Sequence, residues 1–157
     1  MNELLVFTFK DGLLSRVAHD LKLSFGEVEV TQEGEQLEVW VEANSLRVCC
    51  AMRNGQEDHR ALSAANREEI ETIIAEQILQ VHRHPGIRYS GTIRGAQAAG
   101  ILTMCGVSLS LVLPWRDGCG EIMLDQRRLG IAPYRAMMGT LKLKPELKVT
   151  WRVQTLS

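Results

Sequence analysis

Apolar and polar residues alternate with a period of two along much of the chain, and this pattern constrains the fold more than any other feature. Successive side chains of a β-strand point to opposite faces of the sheet, so the alternation predicts strands with one buried and one solvated face. It is clearest in segment 36–43, where Leu37, Val39 and Val41 alternate with mostly polar neighbours. Similar or weaker patterns bring the prediction to about eight strands: 5–9, 21–30, 36–43, 87–94, 98–105, 107–113, 120–126 and 147–153.

Two glycines indicate how the early strands connect. The apolar positions shift by one residue after Gly26, from Leu21 and Leu23 to Val28. Such a slip at a glycine predicts a β-bulge inside a bent strand. Gly34 stands between two glutamates and predicts the hairpin loop that leads into segment 36–43.

Segment 66–80 departs from the period of two and predicts one amphipathic helix. Its apolar residues recur at helical spacing and are Ile70, Ile73, Ile74, Ile78 and, one turn on, Val81. Asn66 followed by Glu69 resembles a capping box, and Pro85 predicts that the helix has ended before it. The preceding segment, 46–65, is mixed and polar, so it is expected to be a connection with little regular structure.

About eight antiparallel strands and one helix predict a closed or nearly closed β-barrel, as a single domain over residues 1–157. A barrel of this size is filled by side chains or holds one small ligand. The residues expected to share the enclosed face are Leu21, Leu23, Val39, Val41, Tyr89, Leu109, Leu111, Val149 and Trp151, with Ile74 and Ile78 from the helix.

Composition and charge argue against several classes of function. A net charge of −1 and an aromatic content of 5% give no electrostatic or stacking surface for nucleic acid. No segment is long and apolar enough to predict a membrane span. The N-terminus lacks the pattern of a secretory signal, so a cytoplasmic location is expected.

The pair His19-Asp20, at the start of a predicted strand, has two interpretations. Asp20 could orient the His19 imidazole for acid-base catalysis, with Ser15 or a bound water as nucleophile. Alternatively, the pair could satisfy buried polar groups where the chain enters the sheet, and this is the favoured hypothesis.

No metal site is predicted from the sequence. His59, His82 and His84 are the candidate ligands, but His82 and His84 stand at positions i and i+2 near a helix end and are poorly placed to share one ion. The cysteines match no zinc framework and are expected to be free thiols; they are Cys49, Cys50, Cys105 and Cys119.

A set of ordered motifs covers nearly the whole chain and resembles the YceI-like lipid-binding proteins. The motifs lie at residues 12–21, 70–89, 100–107, 124–131, 133–134 and 138–143. This resemblance implies a lipocalin-like antiparallel barrel that holds a polyisoprenoid or another long aliphatic chain. It implies no cofactor and no catalytic residue, and it is compatible with a homodimer.

The sequence therefore predicts a non-enzymatic protein whose partner is a long-chain apolar small molecule. Residues 129–138 are expected to fold over one barrel end, where Met137 and Met138 offer an adaptable apolar surface. Arg16, His19 and Arg135 are the candidate contacts to a polar head group. Entry is expected between this loop and the helix 66–80.

Overall fold

The computed structural model describes residues 2–11, 19–136 and 141–154, and strands dominate them. In chain order the strands are β1 (Glu3–Thr8), β2 (Asp20–Phe25), β3 (Val28–Glu33), β4 (Gln36–Glu42), β5 (Leu46–Arg53), β6 (Gln56–Asp58), β7 (Gly86–Arg94), β8 (Gln97–Met104), β9 (Val107–Pro114), β10 (Cys119–Asp125), β11 (Arg135–Ala136), β12 (Leu141–Lys142) and β13 (Glu146–Arg152). The helix α1 spans Ala64–Ile73.

Eleven of these strands form two antiparallel sheets. One sheet has the order β10-β13-β1-β2-β5-β6 and the other β3-β4-β7-β8-β9, while β11 and β12 pair separately. The prediction of a mainly antiparallel β-structure with one helix is confirmed, but the strands number more than the predicted eight, and a closed barrel is not found among the described residues. Among the described residues no backbone ladder joins β9 to β10, although these edge strands are neighbours.

The shift of apolar positions at Gly26 marks a corner between the sheets, where a bulge within one strand was predicted. The Gly26 N–H donates to the Ser45 carbonyl (3.1 Å), and the Glu42 N–H donates to the Glu27 carbonyl (3.0 Å). The Ser45 hydroxyl also accepts the Glu27 N–H at 3.1 Å. The connection from β2 to β3 and the connection from β4 to β5 therefore cross between the two sheets side by side.

The prediction of an irregular segment 46–65 was also wrong, because β5 and β6 lie within it. Lys22 pairs with Cys50 but Leu23 pairs with Val48, so Cys49 is an extra residue in β5. This bulge interrupts the alternation on which the prediction depended. The following hairpin turns at Asn54-Gly55, where both φ angles are positive, as a type I′ turn requires.

The predicted hairpin at Gly34 is confirmed. Glu33 pairs with Gln36 across a two-residue loop, and Gly34 has a φ of 59°. A glycine at the first loop position removes the steric cost of that positive φ.

The predicted helix exists, but it begins earlier than expected. Ser63 is the N-cap: its hydroxyl accepts the Asn66 N–H at 3.0 Å, and the Asn66 side chain accepts the Ser63 N–H at 3.2 Å. After Ile73 the chain continues as a π-helical turn over Ile74–Ile78. No helix among the described residues is both long and apolar enough to cross a bilayer.

Two apolar clusters form the core between the sheets and the helix. One cluster contains Leu21, Leu23, Phe25 and Val41, and the apolar side chains of the helix pack against it. The other contains Trp115 and Trp151, whose stacked rings have centroids 6.4 Å apart. Leu4 and Val39 pack against both clusters, so the two are continuous.

Candidate functional site

A cavity of about 550 Å³ lies between the two sheets and the helix. Both sheets supply its walls, through inward side chains of β1, β2, β3, β4, β5, β7, β8, β9, β10 and β13. The helical segment supplies Ile70, Ile73, Ile74 and Ile78. Alternation makes this possible, because every second residue of each strand turns toward the same interior. The cavity is therefore a product of the same pattern that predicted the strands.

Most of the predicted site residues line this cavity. They are His19, Leu21, Leu23, Val39, Val41, Ile74, Ile78, Tyr89, Leu111, Val149 and Trp151. Leu109 is half-buried on the same side of β9 as Leu111 but is not among the lining residues. Arg16, Met137 and Met138 lie outside the described residues, as does the side chain of Arg135.

Several lining residues were not predicted. Leu147 of β13 belongs to an alternating segment, so the same pattern could have identified it. Leu4 and Val6 of β1 lie in a continuous apolar run, 4–7, which does not indicate which side faces the interior. Leu46 was missed because its segment was not expected to be a strand. Leu143 alternates with Lys142 and Lys144, but this short segment was not predicted to be a strand.

Tyr89 provides a neutral polar group at the wall. Its hydroxyl lies 3.0 Å from the Leu111 carbonyl and 3.2 Å from the Ala98 carbonyl, to which it can donate. Burial raises the pKa of this phenol above its ordinary value, so it stays protonated at neutral pH. The polar side chains that also line the cavity are Thr8, His19, Asn66, Glu69, Gln126 and Tyr134.

The structure does not pair His19 with Asp20. An Asp20 carboxylate oxygen accepts the Lys10 backbone N–H at 2.7 Å, and no hydrogen bond joins Asp20 to His19 among the described residues. Asp20 thus links the start of β2 to the backbone of Lys10 through an exposed hydrogen bond, and the hypothesis that the pair satisfies buried polar groups stays a prediction. His19 is half-buried and faces the cavity. Ser15 lies outside the described residues.

A second, smaller cavity of about 460 Å³ adjoins the first. It lies between residues 77–80, at the end of the helical segment, and residues 129–134. Ile78, Leu129 and Tyr134 line both cavities. The side chains of Gln77, Gln80 and His84 make this second space more polar than the first.

The outer face of the first sheet carries a separate cluster around Glu57. Its carboxylate lies 3.3 Å from the Lys22 ammonium, 3.5 Å from the His59 Nε2 and 3.6 Å from the Cys50 Sγ. Hydrogen bonding and charge from Lys22 lower the pKa of Glu57, and burial raises the pKa of the Cys50 thiol. Within the described part of the chain, His59, His82 and His84 do not come together as a metal-binding group.

Comparison with known proteins identifies the fold. No protein-family model and no curated protein matches the sequence. The structure is similar to that of a polyisoprenoid-binding domain from Saccharophagus degradans implicated in plant cell wall breakdown, with a TM-score of 0.61. The similarity covers 96% of this chain and 90% of that one at 7% sequence identity. The chain therefore shares the lipocalin-like fold of that domain.

Proposed function

We propose that this protein binds a long apolar ligand, an isoprenoid or fatty-acyl-like chain, between its two sheets and its helix, without catalysing a reaction. The cavity of about 550 Å³ with largely apolar walls is the observation that carries this proposal. Its volume falls within the usual range for small-molecule sites, roughly 300–1,000 Å³. The fold that the chain shares with a polyisoprenoid-binding domain supports the same ligand class.

Burial of the apolar chain of such a ligand can provide most of the binding free energy, so few polar contacts are needed. Moving one methylene group from water into an apolar interior contributes about 0.8 kcal/mol. Ten methylenes therefore contribute about 8 kcal/mol, which is within the roughly 4–15 kcal/mol that association costs. A ligand with a longer tail gains enough from burial alone, so the walls need no sharp motif.

The polar end of the ligand is assigned to the second cavity. This space adjoins the first through Ile78, Leu129 and Tyr134, and it offers Gln77, Gln80 and His84. We infer that the ligand enters between the helical segment and residues 129–134. The end of the helical segment and the irregular residues 131–134 bound this route. Neither is held in a strand ladder, so opening here costs less than separating paired strands.

The alternative enzyme function has weaker support. It requires Asp20 to orient His19, whereas the Asp20 carboxylate is engaged by the Lys10 backbone. His19 is consequently assigned to the wall of the binding cavity.

Blocking the cavity tests the proposal. Ile74→Trp and Leu111→Trp each place a bulky ring among the lining residues, and each should weaken uptake of a fluorescent fatty-acid or prenyl probe at least tenfold. Titration of the probe into purified protein measures this effect. Circular dichroism verifies that both variants retain the strand content of the parent.

Val112→Trp is the matched control. Val112 is adjacent to Leu111 on β9, but its side chain faces outward and is 56% exposed. We expect this variant to bind the probe as well as the parent does. Equal binding by folded Ile74→Trp and Leu111→Trp variants, or no binding by the parent, contradicts the proposed function.

A further inference from the structure

We propose that Cys50, Glu57 and His59 form a binding site for a divalent metal ion of the zinc class on the outer face of the first sheet. The Sγ, carboxylate and imidazole donor atoms of these residues all lie within 4.8 Å of one another. A thiolate, an imidazole and a carboxylate are the three ligand types that Zn²⁺ takes in proteins. None of the three residues lines the cavity, so the site is independent of the proposed lipid binding.

Two of the three donor spacings match a tetrahedral site, and the third pair, Cys50 and His59, lies within 4.8 Å where a tetrahedron needs about 3.6 Å. With zinc bonds of about 2.3 Å to sulfur and about 2.0–2.2 Å to nitrogen or oxygen, a tetrahedron places sulfur about 3.6 Å and nitrogen about 3.4 Å from the oxygen. The Cys50 Sγ lies 3.6 Å from a Glu57 oxygen, and the His59 Nε2 lies 3.5 Å from the same oxygen. An ion could therefore bind with small side-chain movements.

Backbone features hold the three donors together. The bulge at Cys49 turns Cys50 outward, opposite Lys22 of β2. The tight turn at Asn54-Gly55 then returns the chain as β6, where Glu57 pairs with Met52 and lies near Cys50. Three protein ligands leave a fourth position for water or another small ligand, as in catalytic rather than purely structural zinc sites.

Lys22 is the competitor that this geometry identifies. Its ammonium lies 3.3 Å from the same Glu57 oxygen that the metal ion would use. Binding of a cation must displace this ammonium, because two positive charges would otherwise share one carboxylate. Removing the Lys22 charge should consequently strengthen metal binding.

Titration of the full chain with Zn²⁺, followed by isothermal calorimetry under reducing conditions, tests the site. We expect one ion per chain, binding at least tenfold weaker in His59→Ala and in Glu57→Gln, and severalfold tighter in Lys22→Met. Co²⁺ serves as a spectroscopic probe, and its absorption should include a thiolate-to-metal charge-transfer band that Cys50→Ser abolishes.

The side chains of Glu57 and His59 are 46% and 67% exposed, so their replacement should not prevent folding even if buried Cys50 tolerates no change. Cys119→Ser and His82→Ala are the matched controls and should bind Zn²⁺ as the parent does. The proposal is overturned by an absence of saturable binding, by a Co²⁺ spectrum without the charge-transfer band, or by equal affinities in the parent and His59→Ala. None of these results bears on probe binding in the cavity.

Discussion

Tyr89 shows how a single side chain sets the character of the cavity wall. It is 4% exposed, and its hydroxyl is placed to donate to backbone carbonyls of two neighbouring strands. The ring thus adds apolar surface while the polar atom is satisfied without a ligand. Cys105, at the tight turn between β8 and β9, is likewise a neutral group whose burial raises the pKa of its thiol.

These two raised pKa values predict that stability falls at alkaline pH. The folded protein retains the Tyr89 and Cys105 protons, whereas the unfolded chain releases them near the ordinary pKa values of 10.0 and 9.0. Because the unfolded state then binds fewer protons, the free energy of unfolding decreases as pH rises above about 9. Urea denaturation at a series of pH values under reducing conditions measures this slope. Tyr89→Phe and Cys105→Ala should each flatten it, and an unchanged slope in both variants contradicts the assignment.

A hydrogen bond between a helix α1 side chain and the β5 backbone holds the helix against the first sheet. It satisfies a backbone N–H that a longer neighbouring strand would otherwise pair. The short strand β6 pairs with β5 only at residues 51–53, so Val48 lies beyond its reach. A Glu71 carboxylate oxygen accepts the Val48 N–H at 2.8 Å and satisfies that backbone group. The contact fixes the helix beside the cavity, where its isoleucines complete the wall.

Replacing Glu71 should therefore destabilise the protein. Glu71→Ala leaves a half-buried N–H without its acceptor, and a hydrogen bond to a charged group contributes about 1.5–3 kcal/mol. We expect urea denaturation to show a loss of roughly this size. Glu71→Gln retains an acceptor and should recover part of it. Glu68→Ala is an exposed control on the same helix, and a loss as large as that of Glu71→Ala would indicate a general effect on helix propensity instead.

At the scale of the whole molecule, the space between the sheets is the principal feature. Within the described residues the chain passes between the sheets four times, after β2, β4, β6 and β9. The third of these connections contains the helix, which covers one side of the space between the sheets. A large apolar cavity is costly when it is empty, since its walls lose packing contacts. The proposed ligand would therefore also supply packing contacts to the core of the protein.

The native protein should consequently retain lipid through a detergent-free purification. Native mass spectrometry is expected to show a mass excess that disappears after organic extraction, and the extracted molecule should have a long aliphatic or isoprenoid chain. Removal of the ligand should lower the melting temperature, because ligand binding stabilises the folded state by mass action. Protein that carries no added mass and melts unchanged after extraction contradicts the proposal. The homodimer and the cellular compartment stay predictions, and sedimentation velocity can test the first.

Local sequence patterns predicted which faces of the strands and of the helix are apolar. These patterns depend on neighbouring residues alone. Alternation identified the strands around Leu37, Leu111 and Trp151, helical spacing identified the isoleucine stripe, and a glycine between two glutamates identified the hairpin at Gly34. The corner at Gly26, the bulge at Cys49 and the cluster around Glu57 depend instead on contacts between distant segments, which local patterns do not contain. A hydrogen bond from the Gly26 N–H to the Ser45 carbonyl places Gly26 at a corner between the sheets. Pairing with β2 leaves Cys49 as an extra residue, and this bulge interrupts the alternation that would have identified β5. Cys50 likewise lies beside Glu57 and His59 only in the folded protein. The bulge at Cys49 orients Cys50, and the turn at Asn54-Gly55 returns β6 alongside β5.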